Sequence, residues 1–262
     1  MINALTIAQS VWLELLRKKD IYVLLILLGA ILCALVSLNA FGLGSTTRYV
    51  TDTGLLMTWI FAWVLGILAS SRALPQEEER GTVFPMLAKP LTRFEFLLGK
   101  WIGTWSVITA ATLLFYLLVT GVVLLRGGRL IPATLLQSFI LHAAALAVIS
   151  SIAVALSTRL NADAAATLTF VFTAAAFVVV PRVPELLAQQ QGVGGLALYV
   201  LYYVLPHFEL FDMRRRLVHD YGPAPAGAII EVLLYGLFLT AVFVLLGWIG
   251  YRRKVFSRSH RV

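Results

Sequence analysis

Apolar positions come in long blocks along this chain, and charges gather between them. Six runs carry no Asp, Glu, Lys or Arg: Ile21–Phe41, Gly54–Ser71, Trp101–Leu125, Leu130–Thr158, Ala164–Val180 and Val232–Tyr251. Each is close to the roughly 20 residues a helix needs to cross a bilayer. The pattern predicts six spans, at 21–41, 54–74, 97–125, 131–157, 163–180 and 228–250. Gly127-Gly128 and Arg159-Leu160-Asn161 supply short turns on either side of the fourth run. The fifth run is alanine-rich, and small residues let helices approach closely in lipid.

Residues 1–20 follow a different rhythm. Asn3, Thr6, Ser10, Glu14 and Arg17 recur every three or four positions and form one narrow polar stripe on an otherwise apolar helix. This predicts a helix lying in the membrane interface; a cytosolic helix packed on a partner gives the same pattern. No cleavable signal peptide is expected, because the first apolar run is too long for an h-region and a helical segment precedes it.

The largest charge-rich interruption is Gln76–Gly103. Glu77, Glu78 and Glu79 are followed by Arg80, Gly81 and Thr82, then by a short amphiphilic piece ending at Lys89-Pro90. Thr92 three residues before Glu95 is a capping-box pattern, which predicts the start of a long helix. Pro85 fits the first turn of a short helix opening near Thr82. Segment 76–92 therefore reads as a shaped knob between two spans. Its apolar residues Val83, Phe84, Met86 and Leu87 call for a partner surface, although charge runs are commonly solvated loops.

Segment 181–227 is not a plain loop. Pro181, Pro184, Gly192, Gly194 and Gly195 lead into Leu196–Leu205, ten residues without a charge. That is too short to span and suits a re-entrant or interfacial helix dipping into the outer leaflet; a pair of half-spans is the other reading.

Composition agrees with lipid as the solvent. The 262 residues are 60% hydrophobic and 13% charged, far more apolar than a soluble domain. The net charge of +8 marks membrane edges rather than nucleic-acid binding. With the N-terminus inside, inner segments hold 14 Lys/Arg (17, 18, 19, 72, 80, 89, 93, 100, 159, 252, 253, 254, 258, 261), against 7 outside (48, 126, 129, 182, 214, 215, 216). This bias predicts cytoplasmic termini and a cytoplasmic 76–92 segment. Cys33 is the single cysteine, so no intrachain disulfide can form.

Chemistry is sparse. Gly99-Lys100 lacks the upstream glycine loop and following hydroxyl of a P-loop, so no ATP site is expected on this chain. His142, His207, His219 and His260 lack metal-ligand spacing, and no G-x-S-x-G occurs. No catalytic residue or metal is predicted. His142, inside the fourth run, reads either as an intramembrane functional group or as a hydrogen-bond partner for a neighbouring helix. Asp163 and Glu231, at span ends, are further candidates that read first as ordinary interface carboxylates.

E-E-E-R-G-T followed by L-A-K-P-L-T-R-F-E-F-L-L-G-K resembles the signature of type-2 ABC transporter permeases. Leu205-Pro206-His207-Phe208-Glu209-Leu210-Phe211-Asp212 resembles the stretch before the last span in the subgroup that includes the permease of nitrous-oxide reductase maturation. Pro85 departs from the ordinary helix former found in many relatives. The resemblance implies a single all-α permease domain over 1–262 in the bacterial inner membrane, paired with a second permease copy as homodimer or heterodimer. It implies two ATP-binding subunits that carry the ATP and Mg, no cofactor on this chain, and a cytoplasmic coupling helix between the second and third spans. The expected contacts to the ATP-binding subunit are Glu77, Glu78, Glu79, Gly81, Thr82, Val83, Phe84, Leu87 and Arg93, and substrate is expected near the second and fifth spans. The leading reading is the permease of an ATP-driven exporter. The other is a mechanotransmitting subunit that drives a periplasmic partner without moving a solute.

Overall fold

The computed structural model describes residues 2–17, 19–38, 46–79, 92–187, 192–252 and 254. Among these the chain is mostly helical, with short turns between the helices and without a strand. An all-helical chain suits lipid, because each helix satisfies its own backbone polar groups.

Helix α1 covers Ile2–Arg17, α2 Asp20–Leu38, α3 Thr46–Arg72, α4 Pro75–Glu79, α5 Arg93–Leu125, α6 Pro132–Ser157 and α7 Ala162–Val179. After a 3-10 turn at Val180–Arg182 come α8 (Val183–Leu187), α9 (Val193–Val204), a second 3-10 turn (Phe208–Phe211), α10 (Arg214–Val218) and α11 (Ala226–Arg252). Five helices, built on α3, α5, α6, α7 and α11, are long and apolar enough to cross a membrane. Over the first predicted span the apolar part Ile21–Ala34 is shorter. The segment Gly194–Val204 with Phe208–Val218 passes the same test as a pair, bent by 41° as a broken span or re-entrant loop would be.

Local chemistry sets the helix starts. Thr92 caps α5 through a full capping box: its hydroxyl accepts from the Glu95 amide at 3.2 Å, and its own amide donates to Glu95 Oε2 at 3.0 Å. Pro132 sits in the first turn of α6, where a missing N–H costs little. Asn161 caps α7 by accepting from the Ala164 amide at 2.9 Å. Helix α3 begins at Thr46, ahead of its charge-free run at Gly54. Val50 is buried in the cluster that joins α2, α3 and α5, so the extra turns bury apolar surface that a loop would leave exposed.

Most of the polar stripe of α1 faces away from the bundle: Thr6, Ser10 and Arg17 are exposed and Glu14 is half-buried, while Ile7, Ala8, Val11 and Leu15 are buried. Trp12 Nε1 donates to Ser106 Oγ at 2.8 Å. Gly103 is what lets α1 approach α5. A Cβ there would meet Val11 Cβ at 2.8 Å and Ala8 Cα at 3.0 Å, and the second atom is backbone and cannot yield. Gly103→Val is therefore expected to prise α1 from α5 and to cost about 1–3 kcal/mol through overpacking. Thermal unfolding of the purified chain reads the loss, and an unchanged midpoint would refute the close packing.

Helix α11 runs alongside α6 in the same direction. Gly236 lies near Ala144, Gly247 against Ala155 and Gly250 against Thr158, a seam of small residues that permits tight contact in lipid. Gln137 pins the chain entering α11, donating to the Ala224 carbonyl at 3.0 Å and accepting from its amide at 2.8 Å. Phe208 and Phe211 anchor the segment before α11 in the core, Phe208 stacking on Phe177 at 4.9 Å. By contrast α9 presents Leu196, Tyr203 and Val204 outward, as expected for a helix that meets lipid.

Candidate functional site

Two regions gather polar chemistry. The first is the end of the bundle where α3 and α11 finish and α5 begins. The short α4 turns the acidic run back towards the bundle: the Glu77 and Glu78 amides both donate to the Leu74 carbonyl, at 3.1 and 3.2 Å. Glu77 Oε1 then meets Lys100 Nζ at 2.6 Å, with both residues buried. Burial of either charge alone is strongly unfavourable, so each ion needs the other. Glu78 receives Lys254 Nζ on both carboxylate oxygens, at 2.9 and 2.7 Å.

Arg93 completes this edge from the other side. Its Nη1 donates to the carbonyls of Tyr251, Arg252 and Lys254 at 3.3, 2.8 and 3.0 Å. These carbonyls lie at and just beyond the end of α11, where helical partners run out and a cation suits the helix dipole. Beneath them Tyr251 is fully buried and stacks near Phe96 at 6.1 Å. Residues 80–91 are thus flanked on one side by Glu77 and Glu78 and on the other by Thr92 and Arg93, and both flanks are tied to α5 or to the end of α11. Of the predicted partner contacts, Glu77, Glu78 and Arg93 are engaged within the chain, and Glu79 is exposed. Gly81, Thr82, Val83, Phe84 and Leu87 lie outside the described residues, as does the short helix expected there.

The second region lies between α3 and α7. A cavity of about 710 Å³ has Leu56, Trp59, Ile60 and Trp63 on one wall and Ala174, Phe177 and Val178 on the other. Glu209, Asp212, Arg214 and Arg215 from the segment before α11 form its charged rim. Arg214 Nε lies 3.4 Å from Asp52 Oδ1, a distance that brings the charges together without a well-aligned hydrogen bond. Trp63 Nε1 donates to Thr173 Oγ1 at 2.8 Å and ties the two walls. Apolar walls with a few convergent polar groups are the usual build of a ligand site.

His142 sits behind this cavity. It is fully buried and stacked on Trp59 at 3.9 Å, with interplanar angle 5°. Tyr116 approaches edge-on at 5.8 Å, with its hydroxyl 3.0 Å from Ser138 Oγ. Neither ring nitrogen of His142 has a hydrogen-bond partner among the described residues, so the reading as a hydrogen-bonded link between helices does not hold there. Asp163 and Glu231 are exposed near the starts of α7 and α11. Glu231 lies about 28 Å along α11 from Gly250, at 1.5 Å per residue, and Gly250 abuts Thr158 and Arg159 at the turn into α7. The three candidates therefore do not form one site.

Sequence reasoning passed over Lys100, Lys254, Trp59 and Arg214. Lys254 entered it only as a positive-side charge, and Lys100 as such a charge, in the rejected P-loop and within the family signature. The lone signal for Lys100 as half of an ion pair was a lysine about two turns inside a long apolar helix, where a cation needs a partner.

A family model described as ABC-2 family transporter protein matches residues 12–258. No characterised protein matches the chain.

Proposed function

The chain belongs to the ABC-2 family of transporter membrane proteins, and we propose that it is the permease of an exporter whose coupling element is the segment between α4 and α5. As a member of this family it is a multi-pass membrane subunit that works with ATP-binding subunits. The reading beyond the family rests on one observation: both flanks of residues 80–91 are bonded to helices that run through the bundle. A push on that segment is carried by Glu77 to Lys100 on α5, and by Glu78 and Arg93 to the end of α11. The subunit, its termini cytoplasmic, pairs with a second permease copy, the same chain or a related one, and with two ATP-binding subunits in a bacterial inner membrane. Helix α2 supplies the sixth span beside the five long helices. The cavity between α3 and α7 lies on the cargo path, and its aromatic walls favour an amphipathic or apolar cargo.

A second reading has a specific support. Arg214, in the segment before α11, faces Asp52 on α3, and α3 leads at its other end to Glu77. The same movement can therefore reach an outer partner without moving a solute.

The test is reconstitution. The chain alone is expected to hydrolyse no ATP. With its ATP-binding subunit in vesicles, hydrolysis is expected to rise when an amphipathic cargo is supplied, with that cargo accumulating on the outer-facing side. Hydrolysis by the isolated chain would overturn the assignment. ATP-dependent capture of a periplasmic protein without cargo movement would favour the second reading.

A further inference from the structure

At the junction of α1 and α2 a pocket of about 240 Å³ enters the bundle from its side. Leu24 and the exposed Val23 form one wall, Leu65 and Leu68 of α3 the other, and fully buried Ile108 of α5 closes the depth. Its polar group is Arg72, the last residue of α3, half-buried at the wall. Among the described residues its guanidinium has neither a hydrogen bond nor an ion pair. Three acids of the same bundle end are engaged elsewhere: Glu77 faces Lys100 and Glu78 faces Lys254, and Glu14 has a partner of its own; Asp20 precedes Ile21 in sequence, and Glu79 of α4 is exposed. The elbow between Leu15 and Ile21, both lining the pocket, adds exposed Arg17 and Lys19. An apolar slot on the side of the bundle thus ends at an arginine that has no ion pair among the described residues, with further cations in the adjoining elbow.

We propose that this pocket binds one anionic glycerophospholipid from the leaflet on the side of α1. An acyl chain fills the slot between α2 and α3, and the phosphate takes the Arg72 guanidinium. The charge complementarity is specific. A planar guanidinium matches phosphate oxygens with two parallel donors, and basic pockets between membrane helices hold anionic headgroups. A zwitterionic lipid brings a cationic group that the neighbouring Arg17 and Lys19 oppose. The depth matters equally, because a free phosphate leaves the apolar slot unfilled and gains nothing from burial. Bound there, the lipid wedges α2 against α3, which leads into the short α4 that carries Glu77. This site is independent of what the subunit transports.

The test uses the full chain, purified in detergent, stripped of lipid and examined by native mass spectrometry. Phosphatidylglycerol and phosphatidylcholine with matched acyl chains are added back. The expected result is one phosphatidylglycerol retained per chain and far less phosphatidylcholine. Arg72→Gln is expected to reduce retention about tenfold, the loss of one charge-assisted contact, while Arg72→Lys keeps most of it. Val23→Trp, at a position 59% exposed and so tolerant in folding, is expected to block the slot and expel the lipid with Arg72 intact. Equal retention of both lipids overturns the proposal. So does unchanged retention in Arg72→Gln or in Val23→Trp, and so does displacement of the lipid by millimolar inorganic phosphate.

Discussion

Lys100→Met is expected to destabilise the chain by about 3–5 kcal/mol, because it leaves the Glu77 carboxylate buried without its cation. The two atoms stand 2.6 Å apart, and Lys100 is 2% exposed, so water cannot replace the lost partner. The damage spreads beyond one bond. Glu77 lies in the first turns after α3, and Glu78 beside it holds Lys254 near the end of α11; a carboxylate driven outward pulls on both. Replacing both members with apolar residues of similar size removes the uncompensated charge, and such exchanges are commonly neutral or stabilising. Glu77→Leu combined with Lys100→Met is therefore expected to regain most of the stability, while losing the connection between the acidic run and α5. Thermal unfolding of the purified proteins measures the first effect, and ATP-driven transport of the double variant measures the second. A single variant as stable as wild type, or a double variant no better than the single one, would show that the pair does not hold this edge.

Leu87→Asp is expected to abolish coupled transport while leaving membrane insertion intact. The position lies outside every predicted span, so insertion has no reason to change. In the proposed complex Leu87 is buried against the ATP-binding subunit, which contributes roughly 1.5–3 kcal/mol, or about 10- to 100-fold in association. The introduced carboxylate adds an unpaired charge at the contact. The flanks explain why a local change reaches the spans: Glu77, Glu78 and Arg93 join that segment to α5 and α11. Phe84→Asp is expected to act in the same way. Co-purification with the ATP-binding subunit and transport at matched expression are the measurements. Wild-type assembly and activity in both variants would return residues 80–91 to the status of a solvated loop.

The helical class and five of the six expected long helices were legible because lipid leaves the chain little choice; over the first expected span the apolar helical part, Ile21–Ala34, is shorter. A charge-free run of sufficient length forms a helix that satisfies its own backbone, and punctuation residues mark its ends. The capping box at Thr92 and Glu95, the turn at Arg159-Leu160-Asn161 and the break before α11 are local in this sense, each decided within a few residues. Glu77, Glu78 and Arg93 stood out as charges between two spans, and the family signature around them pointed to the same stretch. What they touch was not legible. Lys254 is 176 residues from Glu78, and Arg93 bonds carbonyls near the end of a helix 158 residues further on. Those partners depend on how α5, α6 and α11 lie side by side, a geometry set by Gly236, Gly247 and Gly250 against α6. The stacking of His142 on Trp59 and the cavity between α3 and α7 have the same origin. Apolar pattern fixes which residues enter the membrane; only packing decides which faces meet, because in lipid the choice among apolar faces rests on shape and on a few polar contacts.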